Sequence, residues 1–372
     1  MTLLRVCLAG LVLLAPAFAV DFGSRINRVD AMAAAEWGQD RIGSLTVGVI
    51  EDGKLAWTKS YGDADMEKHI PAGRDTVYRI GSITKQFTAV MLSQLVEQGR
   101  AHLSDPAQKY VPELRRVRSA YPDASPVSLF QLATHTSGLA REPADTDIYS
   151  RGPVEDWEKT LLAALAHTEY SFEPGIRYSY SNIGYAVLGL AMERAAGRPY
   201  VSYVTDQIFR PLRMNHTGFE WTPALKEKLA KGYEVVNGKA STHNSEREDH
   251  GRGFRVPNGG AYSTVGDLAR FAALWLGDAP ESVLKKATLE EILAEVVAAD
   301  PDLKRGYGRG FMVSRRGAMV SFGHGGSVAG FLAALYVNRA TRCGVVVLAN
   351  ESGGKARPSI VANRMLDVLS GY

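Results

Sequence analysis

Strand-like runs stand at both ends of this chain with helical pattern between them, and that order constrains the fold more than any other feature. Near the start, Ser44-Leu-Thr-Val-Gly-Val-Ile50 and Leu55-Ala-Trp-Thr-Lys-Ser-Tyr61 flank Glu51-Asp-Gly-Lys54, where Asp-Gly supplies the positive φ angles of a tight hairpin turn. Near the finish, 310–314, 318–322, 330–337 and 343–349 read as strands joined by short turns, and a helix runs from Pro358 to Leu369. From about 85 to 215 the pattern is mostly helical, broken at Ser104-Asp-Pro106, Glu173-Pro-Gly175 and Arg198-Pro199. The expected class is α+β. One antiparallel sheet is built from both chain ends and flanked by helices, beside an α-rich lobe, and the natural cleft lies between the two. Residues 223–256 alternate basic, polar and acidic and read as a long surface excursion that holds no site.

The first residues form a secretory pattern: Arg5, the apolar run Val6 to Leu14, then Ala17-Phe18-Ala19. The expected organisation is a leader over 1–19, cleaved after Ala19, and one catalytic domain over 20–372. The leader's apolar run is too short to span a bilayer, and no later stretch reaches the roughly 18 apolar residues that a spanning helix needs. An exported protein without a stable membrane span is expected, periplasmic or secreted. Loss of the leader removes Cys7 and leaves Cys343 alone, which rules out an intrachain disulfide or a dithiol metal site. With no His-Glu-x-x-His either, neither a metal nor another cofactor is expected. The 43 basic and 40 acidic residues are interspersed along the chain, which gives no case for a nucleic-acid partner.

The chemistry begins at "RIGSITKQF", where Ser82 opens an apolar helical run and Lys85 follows three residues later. On a helix that spacing sets both side chains on one face, so an amine whose pKa burial lowers can take the serine's proton. The helix start adds free N–H groups for a developing oxyanion. The same spacing recurs at Ser282 and Lys285 and at Ser352 and Lys355, so the pair alone is weak; a capping serine and a solvated lysine explain it equally well. In "EPGIRYSYSNIGY", Tyr180 offers a phenol able to relay a proton and Asn182 an amide able to hold a lysine and a substrate carbonyl. The pair Tyr336 and Asn338 has the same spacing but lies within an expected strand. Then His324-Gly325-Gly326-Ser327 is read as opening a strand, its glycines admitting a substrate backbone and the Ser327 N–H serving as second oxyanion donor beside that of Ser82. His216-Thr-Gly218 reads as a turn, and His135, in "THTSGL", as a residue packed near the cleft.

Taken in order, these three elements resemble the serine β-lactamase and penicillin-binding protein superfamily, in the branch of class C β-lactamases and D-alanyl-D-alanine carboxypeptidases. Leu132-Ala-Thr-His-Thr-Ser-Gly-Leu139, Gly259-Gly-Ala-Tyr-Ser-Thr264 and Tyr307-Gly308 add to the resemblance. It implies a β-lactamase/transpeptidase-like fold, with Ser82 as acylated nucleophile, Lys85 as general base and Tyr180 as proton relay. It further implies substrate contacts from Asn182, His324, Gly325 and Gly326. No Gly-x-Ser-x-Gly occurs, which argues against an α/β-hydrolase elbow.

The sequence departs from the family at Gly325, where a threonine usually helps bind a substrate carboxylate. A charge-assisted bond there would be worth roughly 1.5–3 kcal/mol. Three readings follow from the residues. One is an exported hydrolase of amides, β-lactamase-like or a D-stereospecific peptidase, acting on a small molecule or peptide, peptidoglycan fragments among them. Another is an esterase of the same fold, which needs no carboxylate anchor. The last is a penicillin-binding sensor that acylates without turnover.

Overall fold

The computed structural model describes residues 21–248 and 251–372; the expected leader and its cleavage point lie outside them. The hairpin forms where Asp-Gly predicts it. Strand β1 (Ser44–Glu51) turns at Asp52 and Gly53, both at positive φ, into β2 (Lys54–Asp65), which pairs on its far side with β3 (Ile70–Pro71). The remaining strands of this sheet come from the last quarter of the chain. They are β4 (Val297–Ala298), β5 (Arg305–Tyr307), β6 (Met312–Arg316), β7 (Met319–Val328), β8 (Phe331–Asn338) and β9 (Cys343–Ala349).

All nine join one antiparallel sheet, in the order β3-β2-β1-β9-β8-β7-β6-β5-β4. The two ends of the chain meet at its centre, where β1 pairs β9 from Leu45↔Ala349 to Glu51↔Cys343. Both outermost strands are two residues long, which leaves little free edge for another chain to pair with.

Strand β9 is buried on both faces, so it reads as an unbroken apolar run and not as an alternation. Its Val345 and Val347 face one core, with Val47, Val49 and Tyr336, under helices α1 (Phe22–Trp37) and, after the last strand, the C-terminal helix Pro358–Leu369. Its Val346 and Leu348 face the larger core of the helical lobe. Three helices of that core matter for the site: α2 (Thr84–Glu97), α3 (Asn182–Ala196) and α4 (Val265–Leu276). Helix α2 runs through the middle of the lobe with every residue from Thr84 to Leu95 buried. Helix α3 starts on an N-cap, Ser181 Oγ accepting from Gly184 N at 2.9 Å, and α4 starts the same way on Thr264. The C-terminal helix is α5.

Two expectations need correction. The His-Gly-Gly-Ser motif does not open a strand. It forms the second half of β7, because its backbone goes on pairing with β8, His324 opposite Leu335 and Gly326 opposite Ala333, before the chain turns at Ala329-Gly330. Nor is 223–256 merely a surface excursion. Its end folds inward, with Arg252 5% exposed, because Glu248 is shared as an ion-pair partner by Arg252 at 2.9 Å and Arg79 at 3.3 Å and Arg252 also donates to Gly259 O at 2.7 Å, which lowers the cost of burying these charges.

Candidate active site

Ser82 occupies a single 3₁₀ turn, Gly81–Ile83, that runs directly into α2. Its side chain is half-buried, while Lys85, one turn further on, is fully buried. Lys85 Nζ lies 3.1 Å from Ser82 Oγ, 2.7 Å from Asn182 Oδ1 and 2.8 Å from the Asn258 carbonyl. A neutral amine has two N–H bonds and one lone pair. The amide and carbonyl oxygens only accept, so they take the two N–H bonds and leave the lone pair for the Ser82 hydroxyl. Burial drives Lys85 well below the usual lysine range; the Glu142 carboxylate opposes that shift, while Arg255, Arg141 and Arg252 add to it.

Tyr180 stands across the amine, its ring centre 4.8 Å from Lys85 Nζ. Burial raises its phenol well above the ordinary value and the Ser82 hydroxyl tempers the rise, so the phenol keeps its proton at neutral pH. The same burial therefore holds the lysine as an amine and the tyrosine as an acid.

Asn182, at the first position of α3, is held on three sides. Its backbone N–H donates to Arg141 O at 2.9 Å, its carbonyl accepts from Asn258 Nδ2 at 3.0 Å, and its own Nδ2 donates to Glu142 Oε1 at 2.6 Å. Behind it His135 is buried, its Nδ1 accepting from Ser181 N at 3.1 Å and its ring 4.2 Å from that of Tyr180. Its expected packing near the cleft is what the structure has.

Strand β7 closes the opposite side. A Cβ on Gly326 would lie 2.0 Å from Ile80 O and 3.3 Å from Ser82 N, and one on Gly81 would lie 2.7 Å from Ser327 N. Only glycine backbone lets strand and turn come this close, bringing Ser327 beside the turn of Ser82. His324 is buried next to them. Its Nδ1 donates to Gly325 O at 2.5 Å, and its Nε2 accepts from Tyr307 Oη at 3.0 Å. Burial, and then the proximity of Lys85, push His324 down to about 3, which keeps it neutral. Gly325 looks the other way: a Cβ there would meet Ser359 Oγ of α5 at 2.4 Å.

Ser82, Lys85, Tyr180, Asn182, His324, Gly326 and Ser327 thus converge, whereas Gly325 turns its α-carbon toward α5. The duplicates of the Ser-x-x-Lys spacing lie elsewhere: Ser282, Lys285 and Lys355 are exposed, and Ser352 Oγ accepts from Gly330 N. Glu142, Asn258, Arg141 and Arg255 were not singled out in the sequence, and no spacing marks them. Beside Ser327 a recess of about 450 Å³ is walled by Arg151, Arg252, Arg255 and Glu248. Among the described residues no cluster of His, Cys, Asp and Glu is placed to hold a metal ion, and no helix is long and apolar enough to cross a membrane.

Comparison with known proteins identifies the family and the fold. The Beta-lactamase family model matches residues 29–369. The chain is 33% identical over 230 residues to the D-alanyl-D-alanine-carboxypeptidase/endopeptidase AmpH of Escherichia coli K12, covering 61% of this chain and 56% of that one. It is 29% identical over 212 residues to Protein flp of Staphylococcus aureus MW2, covering 56% of this chain and 41% of that one. The matched stretch thus spans about half the length of these curated relatives. Among solved structures, the octameric penicillin-binding protein homologue from Pyrococcus abyssi superimposes with a TM-score of 0.78 at 27% identity, over 93% of this chain and 77% of that one. A D-stereospecific amidohydrolase from Streptomyces gives 0.69 at 27%, over 87% and 94%.

Proposed function

The chain belongs to the beta-lactamase family, and from that premise we propose that it is an exported serine hydrolase acting on amides through an acyl-enzyme at Ser82. The observation that carries this reading is Lys85, a buried amine with both N–H bonds committed and its lone pair 3.1 Å from the Ser82 hydroxyl. Lys85 takes the Ser82 proton as Oγ attacks a carbonyl carbon. The N–H groups of Ser82 and Ser327 receive the oxyanion. Tyr180, protonated because it is buried, hands its proton to the departing group and regains one from Lys85. The acyl group then passes to water.

The carboxypeptidase/endopeptidase and amidohydrolase relatives support a D-amino-acid peptide as substrate class, and the family match a β-lactam; an exported enzyme would meet both. A second reading, an esterase, is favoured by the 324–325 pair. His324 is uncharged and Gly325 carries no hydroxyl, so neither anchors a substrate carboxylate.

Intact mass of the wild type and of Ser82→Ala, followed in time with a penicillin and alongside loss of the drug, tests the proposal. A Ser82-dependent adduct or Ser82-dependent drug loss is expected. Absence of both, with Ser82-dependent cleavage of a neutral ester, would move the assignment to the esterase.

A further inference from the structure

The side-chain amide of Asn182 can sit in either of two orientations related by a flip, and the chemistry proposed for Lys85 works in only one of them. With the oxygen toward Lys85, Asn182 accepts an N–H, and the amine's lone pair stays free for Ser82. With the nitrogen toward Lys85, Asn182 is a donor and competes with the Ser82 hydroxyl for that same lone pair.

We propose that Glu142 is the positioning residue that selects the productive orientation. Glu142 Oε1 accepts from Asn182 Nδ2 at 2.6 Å, while Asn182 Oδ1 accepts from Lys85 Nζ at 2.7 Å. A carboxylate offers acceptors only. The end of the amide that faces it must therefore be the nitrogen, and the end that faces Lys85 must be the oxygen. A flipped amide would set two oxygens against each other at Glu142.

Glu142 is itself held. Its Oε1 lies 3.2 Å from Arg255 NH2, while Oε2 makes no hydrogen bond. The main chain of Asn182 needs no help from Glu142, because Arg141 O and Asn258 Nδ2 fix it. Glu142 thus acts on the side-chain amide of Asn182 and not on its main chain, and through that amide on the direction of the Lys85 lone pair; its charge also opposes the fall in the Lys85 pKa, an effect that Glu142→Gln and Glu142→Leu remove alike.

The inference rests on Lys85 as the base, and its test separates the two claims. The probe is p-nitrophenyl acetate, with phenolate release followed in wild type, Ser82→Ala, Glu142→Gln, Glu142→Leu and Asn182→Ala. Glu142→Gln keeps an acceptor for Asn182 and Arg255 and is expected to stay within about 3-fold of wild type in kcat. Glu142→Leu removes the acceptor and should lower kcat by roughly 10- to 100-fold with KM little changed, the usual penalty for a misaimed catalytic group. In the Asn182→Ala background Glu142→Leu should cost nothing further, which a general structural role would not predict. Equal losses in Gln and Leu, or an undiminished Leu penalty on top of Asn182→Ala, would overturn the role of Glu142 while Ser82 stays essential. Should Glu142→Leu not fold, a loss above about 10-fold in Glu142→Gln decides against it alone. Release as fast in Ser82→Ala as in wild type would overturn both claims.

Discussion

At the scale of single residues, burial does most of the chemistry. Lys85 would be a cation at a surface; inside α2 it is an amine because desolvation favours the neutral form. A base must be unprotonated, and this group gains its proton only below a pKa set far under the lysine norm. So kcat/KM should fall on the acid side as Lys85 protonates, with that limb lying well below the ordinary lysine value. His324, neutral above about 3, adds no limb near neutrality. Lys85→Arg, permanently charged, is expected to lose at least about 100-fold in acylation rate with an unchanged circular dichroism spectrum. Gly325 invites a second experiment. Gly325→Thr must displace Ser359 Oγ, which stands 2.4 Å from the new Cβ, and should destabilise by roughly 1–3 kcal/mol in urea melts. Adding Ser359→Ala should recover most of that loss. At this scale the approach of Lys85 to Ser82 was legible in helix periodicity, whereas Tyr180 and Asn182 were legible only in their side-chain chemistry and in the resemblance to a family. Glu142 and Asn258 were not, since a lone glutamate and a main-chain carbonyl leave no pattern along a chain.

Between elements, contact is set by what glycine omits. Strand β7 reaches the Ser82 turn because Gly326 has no side chain, and Gly326→Ala would force a methyl carbon against Ile80 O. That variant should lose acylation before it loses its fold, acylation being read by mass and folding by thermal melt. A different joint lies where the chain leaves β9. Glu351 is 1% exposed, and burial, then the nearby Asp40 carboxylate, raise it to about 7. A raised carboxyl contributes its stability in full below the unfolded value, near 4.5, and loses it as pH climbs through about 7. Glu351→Gln always carries a donor at this site, so in urea melts it should exceed wild type by about 2 kcal/mol at pH 8 and match it near pH 4.5. Alternation and turn chemistry made the hairpin of β1 and β2 and the strands β8 and β9 readable. The inward fold at Arg252 was not, because composition reports charge without saying which charges are already paired.

For the molecule as a whole, the sheet is the joint between beginning and end. The presence of strands at both termini announced a shared sheet, but their order did not, since apolar runs of similar length do not state their neighbours. With β9 between β1 and β8, both cores depend on the last 30 residues. A chain ending at Asn338 lacks β9 and α5 and should show neither native far-UV dichroism nor resistance to trypsin. In the whole protein, tryptophan fluorescence and Ser82 acylation should vanish over one denaturant range, because the lobe that holds Ser82 packs on that same sheet.

The pairing of Leu45 with Ala349 also sets a timetable. Contacts this remote along the chain form late and slowly, because a loop of about 300 residues must close before any of them is made. Until then β1 has no partner on its inner edge and the apolar faces of the hairpin are open to the solvent. A refolding chain is therefore most exposed to pairing with a second copy during that wait, and the yield of native protein should fall as protein concentration rises, while the rate constant of the successful fraction stays the same.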